Sequence, residues 1–279
     1  GYKGELHAVN IDPMALGGKP VFPDLQSLAA QCGKGPELAV ICTPATAVPG
    51  LITELGALGT RAAVVISAGL TPAQKQAMLE AARPYTLRIL GPNSIGLLVP
   101  HLGLNASFAP ASAAPGQLAF VSQSGALVTA MLDWANSRGI GFSHFISLGE
   151  QADVDFGDVL DFLASDPRTR AILLYIESIE SARKFMSAAR AAARNKPVIV
   201  IKAGQSTRGQ QAAASHTGAL AGSDAVFDAA ISRAGMLRVH TLLQLFSSAE
   251  LLARFRDNRS EKLIVLTNGG GAGVIAADA

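Results

Sequence analysis

Aromatic residues make up only 5% of this 279-residue chain, although apolar residues reach 49%. A core so poor in rings must be built from Ala, Val, Leu and Ile. That composition suits helices packed on parallel strands, whose sequences read as continuous aliphatic runs. Neither sign of charge dominates: 23 Lys and Arg stand against 21 Asp and Glu, a net +2. The balance gives no basis for a nucleic-acid partner or a strongly acidic one, although a local basic spot can still hold phosphate. Cysteine occurs twice, at Cys32 and Cys42, with neither CxxC nor zinc spacing. Reduced thiols in the cytoplasm are the expectation, with no bound metal. Apolar runs fall well short of the ~18 residues that cross a bilayer, so no membrane contact is expected. No segment reads as a signal peptide. No G-x-x-x-x-G-K-[ST] is present, which argues against a Walker-type nucleotide site. Gly269-Gly270-Gly271-Ala272-Gly273 is not a dinucleotide fingerprint, because the third glycine of G-x-G-x-x-G would fall on Val274.

What is present is alternation. Residues 38–43, 62–67 and 87–90 read as aliphatic strands, separated by helix patterns over 49–58 and from Pro72 onward. Thr71 and Pro72 are an N-cap followed by proline at the first helical position. Residues 105–115, rich in Ala, Ser and Pro, read as a linker. A second series follows, with strands over 118–121, 142–147, 171–176, 198–201 and 237–239. Its helices cover 125–136, 154–163, 181–194, 224–233 and 241–255. Leu127, Met131 and Trp134 are expected on one helix face, and Phe156, Val159, Leu160 and Leu163 on the inward face of another. A third series opens with a strand over 263–266. The chain starts at Gly1 rather than Met and ends at Ala279 within a helix pattern, as expected of a piece of a longer protein. The βαβα order predicts an α/β fold with doubly wound parallel sheets.

In such sheets ligands bind beyond the carboxyl ends of the strands, and three strand ends of the second series stand out. Ser122-Gln123-Ser124-Gly125 joins a strand to a helix. By itself it reads first as an N-cap and tight turn, and second as an anion site at a helix N-terminus. It is not a nucleophile elbow, because Ser122 stands where G-x-S-x-G needs its first glycine. Glu177 closes an apolar strand, where its carboxylate could orient an imidazole. His216, one of five histidines, lies in the small-residue loop Ser215-His216-Thr217-Gly218-Ala219-Leu220-Ala221-Gly222, ahead of a helix. Two helix N-termini could thus converge on one phosphorylated imidazole, each dipole contributing about 0.3–1 kcal/mol. Asp153, Asp155, Asp158 and Asp161 lack an EF-hand pattern and read as a solvated helix start. His7, His101, His144 and His240 have no partner legible in the sequence.

These motifs, with 174–177 (Leu-Tyr-Ile-Glu) and 91–96 (Gly-Pro-Asn-Ser-Ile-Gly), resemble those of the nucleoside-diphosphate-forming acyl-CoA synthetases, relatives of succinyl-CoA synthetase. The resemblance covers nearly the whole chain. It implies a Rossmann-like CoA-binding domain over 1–115, lacking the family's first strand and Gly-rich loop. A flavodoxin-like ligase domain over 116–258 follows, then the start of a second one over 259–279. It implies the reaction acyl-CoA + phosphate + ADP = acid + CoA + ATP, through acyl phosphate and phosphohistidine. His216 then matches the phosphorylated residue and Glu177 its acidic support. Ser122, Gln123, Ser124, Gly125, Thr217 and Gly218 would hold phosphate, and Thr43, Pro44, Ser67, Gly69 and Asn93 would hold CoA. ADP or ATP with Mg²⁺ would bind an ATP-grasp domain or subunit, the acid would be a small carboxylic acid, and a homo- or hetero-oligomer is expected. A second reading is an acyl-CoA-sensing domain fused to a GNAT-type lysine acetyltransferase, because 133–135 and 182–186 are similar to bacterial chains with that fusion. The retained His216 favours the ligase.

Overall fold

The computed structural model describes residues 1–12, 21–211, 223–255 and 264–278. Its elements run β1 (Ala8–Val9), β2 (Val21–Phe22), α1 (Leu25–Cys32), β3 (Leu38–Ile41), α2 (Val48–Ala57), β4 (Ala62–Val65), α3 (Pro72–Ala82) and β5 (Arg88–Leu90). Then come β6 (Gly96–Val99), β7 (Leu104–Ser107), β8 (Pro115–Ser122), α4 (Gly125–Ser137), β9 (Phe142–Ser147), α5 (Phe156–Ser165), β10 (Ala171–Ile176), α6 (Ala182–Asn195) and β11 (Val198–Lys202). The last are α7 (Asp224–Ala234), β12 (Leu237–Val239), α8 (Leu242–Arg254) and α9 (Gly270–Asp278).

Strands β3, β4 and β5 form a parallel three-stranded sheet, with Leu38 opposite Ala62 and Ala62 opposite Arg88. Ile52, Met78, Val65 and Ile89 fill its core. Helix α3 starts as its sequence predicts: Thr71 and Gln74 form a reciprocal capping box, with Pro72 in the first turn.

The larger sheet has the order β12-β11-β10-β8-β9-β6-β7. Its strands β12, β11, β10, β8 and β9 are parallel to one another, and β11, β10, β9 and the second half of β8 are buried on both faces. Period-two alternation divides their side chains. Ala119, Val121, Ile172 and Leu174 pack with α5 and α6; Leu118, Phe120, Ala171 and Leu173 pack with α4 and α8. Phe156, Val159, Leu160 and Leu163 all turn inward from α5. On α4 the buried face is Val128, Met131, Leu132 and Ala135. Leu127 and Trp134 sit at its rim, where Trp134 stacks on Phe246 at 4.8 Å.

Two expectations change. The stretch 105–115 is not a free linker: β7 pairs antiparallel with β6, and β6 antiparallel with β9. The hairpin 96–107 therefore belongs to the larger sheet, ahead of the expected boundary at 115. It forms the sheet edge, where polar Asn105 and Ser107 flank buried Ala106. A polar edge strand guards against unwanted pairing, and in sequence it looks like a loop. Residues 264–267 are not a strand, and Ile264 and Leu266 are exposed. Among the described residues no strand pairs with them to supply a ladder.

The two sheets are joined by a segment that runs antiparallel along β5. Val154 N–H donates to Ile89 O (3.1 Å), Ala152 N–H to Gly91 O (3.0 Å) and Glu150 N–H to Pro92 O (2.9 Å). Lys75–Glu150 (2.7 Å) and Arg88–Asp153 (2.9 Å) add ion pairs across the junction. The aspartate run is thus structural. Asp153 also accepts from Ile89 N–H, Asp155 caps α5, and Lys184 bridges Asp155 and Asp158. Burial pushes the Asp158 carboxyl up, but hydrogen bonds from Lys184 and the Asp155 N–H, with the charges of Lys184 and Arg88, together hold it below its usual range.

Candidate functional site

Both parallel sheets present their carboxyl ends to loops, and each carries one group of candidate residues. Beyond the small sheet, Thr43, Ser67 and Asn93 follow β3, β4 and β5. Ser67 Oγ donates to Thr43 O (2.6 Å), and Asn93 N–H donates to Ser67 O (2.9 Å). Three loops are thereby tied into one surface. Asn93 and Gly69 both have left-handed backbones, at φ 55° and 78°, and Asn93 is exposed. Pro44 opens a short helical turn leading into α2. Thr43 Oγ1 is buried with no hydrogen-bond partner among the described residues. A buried hydroxyl left unpaired costs about 1–3 kcal/mol, so a ligand that satisfies it gains that much in return. These features fit the polar groups of a bound CoA.

Beyond the large sheet, β8 ends in a compact turn. Ser122 Oγ donates to Ser124 O (2.9 Å) and accepts from Ser124 N–H (3.0 Å). That hydroxyl is fully buried and shapes the turn. Ser124 caps α4, accepting from Leu127 N–H at 3.4 Å. The first N–H groups of a helix have no intrahelical partner, so this turn can offer donors to an anion. Gly125 is required by crowding: a Cβ there would lie 2.6 Å from Ile95 Cγ1.

That contact joins the two ends, because Ile95 lies in the 91–96 loop of the small sheet. Ser94 Oγ donates to Ser147 O (2.6 Å), and Ile95 N–H donates to Ser147 Oγ (3.1 Å). Gly149, at φ 58°, lies against the same loop; a Cβ there would come within 2.3 Å of Pro92 O. The loop carrying Asn93 and the loop opening α4 are thus neighbours in one interlocked structure.

Glu177 follows β10 and faces a cavity of about 340 Å³. Phe185, Lys202, Ser223 and Phe227 also line it. Burial, then the Glu177 charge, push the Tyr175 phenol up to about 12. The Glu177 backbone is held from another loop: its N–H donates to Gln123 Oε1 (2.6 Å), and Ser178 N–H donates to the same oxygen (3.0 Å). Gln123 Nε2 completes the clasp on Ser178 Oγ at 3.2 Å. Gln123, expected as a phosphate ligand, thus has its side-chain amide engaged with the Glu177 loop.

His216, Thr217 and Gly218 lie outside the described residues. Ser223, at the N-cap position of α7 but with no side-chain capping bond, lines the same cavity as Glu177. Sequence reasoning missed Lys202, which is buried at the end of β11. Its Nζ lies 3.2 Å from Gly204 O, 3.6 Å from Asp224 and 5.6 Å from the Phe227 ring centre. Arg238 grips Asp224 with two bonds of 2.7 Å, anchoring the first turn of α7. A lysine ending an unbroken aliphatic run was the available signal.

The comparisons with known proteins agree with this layout. Residues 2–100 match the family described as CoA binding domain, and 115–252 the succinyl-CoA ligase like flavodoxin domain. The chain is 40% identical over 289 residues to the alpha subunit of ADP-forming acetate–CoA ligase I from Pyrococcus furiosus. That alignment covers 100% of this chain and 62% of that protein. It is 39% identical to ADP-forming acetate–CoA ligase I from Archaeoglobus fulgidus, covering 100% of this chain and 41% of that one. A solved structure from Ca. Korarchaeum cryptofilum superposes with a TM-score of 0.93 at 37% identity, over 100% of this chain and 60% of that one. It is described as a dinucleotide forming acetyl-coenzyme A synthetase 1 in complex with phosphate and ADP. The chain spans less than two thirds of each of these relatives.

Proposed function

Because the chain belongs to the ADP-forming acyl-CoA synthetase family, we propose that it is the CoA-binding and phosphohistidine-carrying part of an ADP-forming acyl-CoA ligase. The observation that carries this reading is the junction itself. The 91–96 loop, on the CoA side, touches the N-terminus of α4 through Ile95 and Gly125. A thioester carbonyl held there faces a phosphate oxygen on the helix N-terminus, as attack requires. The C–S bond breaks, a C–O bond forms, CoA leaves as the thiol, and acyl phosphate remains. Backbone N–H groups at Ser124–Gly125 offset the phosphate charge. The imidazole of His216 then takes the phosphoryl group, a P–N bond replaces a P–O bond, and the carboxylic acid departs. Glu177 orients the ring and offsets the positive charge that develops on it. Asn93, Thr43 and Ser67 bind CoA, with Pro44 and Gly69 shaping their loops; Thr217 and Gly218 complete the phosphate site from the histidine loop.

Transfer to ADP, with Mg²⁺, falls to an ATP-grasp domain or partner subunit. On this reading residues 1–115 form the CoA half and residues 116–258 the ligase half. Incubation of the intact protein with acetyl-CoA and labelled phosphate is expected to give an acid-labile, base-stable label. The label should vanish in His216→Ala; a retained label would remove His216 from the reaction. CoA binding with no label in the wild type would instead favour an acyl-CoA sensor.

A further inference from the structure

One side chain is placed where it could link the phosphate-binding turn to the histidine's acidic support. Gln123 belongs to the turn between β8 and α4, yet every bond its amide makes among the described residues reaches the loop after β10, 54 or 55 residues away. Its oxygen accepts from Glu177 N–H and Ser178 N–H, and its nitrogen donates to Ser178 Oγ. The amide orientation is fixed by this pattern. Turning it over would set its NH₂ against two backbone donors. The Gln123 backbone N–H adds a fourth link, to Tyr175 O at 3.3 Å.

Building on the proposed ligase reading, we infer that Gln123 is a positioning residue and not a phosphate ligand. It sets the distance between the α4 N-terminus, where phosphate would sit, and the Glu177 carboxylate, which would orient His216. The phosphoryl group must pass from one to the other. A backbone bond of 2.6 Å directly at Glu177 leaves little play in that spacing, and displacements of about 1 Å in such arrangements can cost around a hundredfold in rate.

The test separates this role from phosphate binding by kinetics on the intact protein with acetyl-CoA and inorganic phosphate, reading label on histidine. Gln123→Met removes all three amide bonds. The expected result is a fall in the labelling rate of roughly ten- to a hundredfold, with the KM for phosphate unchanged within about twofold. Gln123→Glu keeps two acceptor positions for the Glu177 and Ser178 N–H groups, so it should lose less rate than Gln123→Met. A phosphate ligand predicts the reverse order: an anion beside phosphate would raise the phosphate KM most in Gln123→Glu. Coupling is the second readout. If Gln123 acts through Glu177, the double variant Gln123→Met with Glu177→Gln should be little slower than Glu177→Gln alone, whereas independent roles multiply. A raised phosphate KM, or fully multiplicative losses, overturns the inference. A wild-type protein that never takes label overturns the underlying ligase reading instead.

Discussion

At the carboxyl end of the small sheet, the loops are held by main-chain groups and short hydroxyls: Ser67 on Thr43, Asn93 on Ser67. At the carboxyl end of the large sheet, the loops are held by long side chains. Gln123 clasps the Glu177 loop, and Lys202 and Arg238 converge on Asp224. The first kind of surface suits recognition of a ligand whose contacts are spread thin. The second fixes charged groups closely, as group transfer requires. On the proposed reading, the contrast separates a binding end from a chemical end, joined where Ile95 meets Gly125.

The sharpest way to break this division is to strike one end and read both. Glu177→Gln should slow histidine labelling by about a hundredfold or more, while CoA affinity by calorimetry stays at its wild-type value. Loss of CoA binding in that variant would erase the distinction. Next in size is the junction. Gly149→Val adds a Cβ 2.3 Å from Pro92 O on a left-handed backbone. It should cost about 2–3 kcal/mol in denaturant unfolding and impair CoA binding and labelling together. Damage to one alone would mean the ends work independently.

A smaller effect is expected from Thr43→Val. If CoA satisfies the orphaned hydroxyl, removing it weakens CoA about threefold to tenfold and leaves labelling at saturating acetyl-CoA unchanged. Folding stability should not fall, because that hydroxyl bonds none of the described residues. Smallest is a pH effect remote from both ends. Burial pushes the His144 imidazole below its ordinary 6.5, partly opposed by Asp166 3.5 Å away. The unfolded chain then binds the proton more readily than the folded one. Stability contributed by the neutral ring is present above about pH 6.5 and declines as the pH falls through that region. His144→Gln should flatten the melting temperature between pH 7 and pH 5.

Much of this was legible in the sequence, for physical reasons. Strands buried on both faces write aliphatic runs, so their ends at Thr43, Ser122 and Glu177 mark the ligand side of each sheet. The Thr71 cap was readable because its partner, Gln74, is three residues away. The hairpin 96–107 was not, because an exposed polar edge strand leaves little hydrophobic pattern. Nor was the role of Gln123, whose partners are more than fifty residues distant. Lys202 was missed because a lysine after an apolar run ordinarily lies in water, whereas here Gly204, Asp224 and the Phe227 ring surround it.

The central claim is that the phosphoryl group rests on His216 between the two ends. Mapping the labelled peptide by mass spectrometry, after reaction of the intact protein with acetyl-CoA and phosphate, tests it most directly. The account predicts a single phosphorylated imidazole at residue 216, formed without nucleotide. Label on any other residue, or none while CoA still binds, would contradict it.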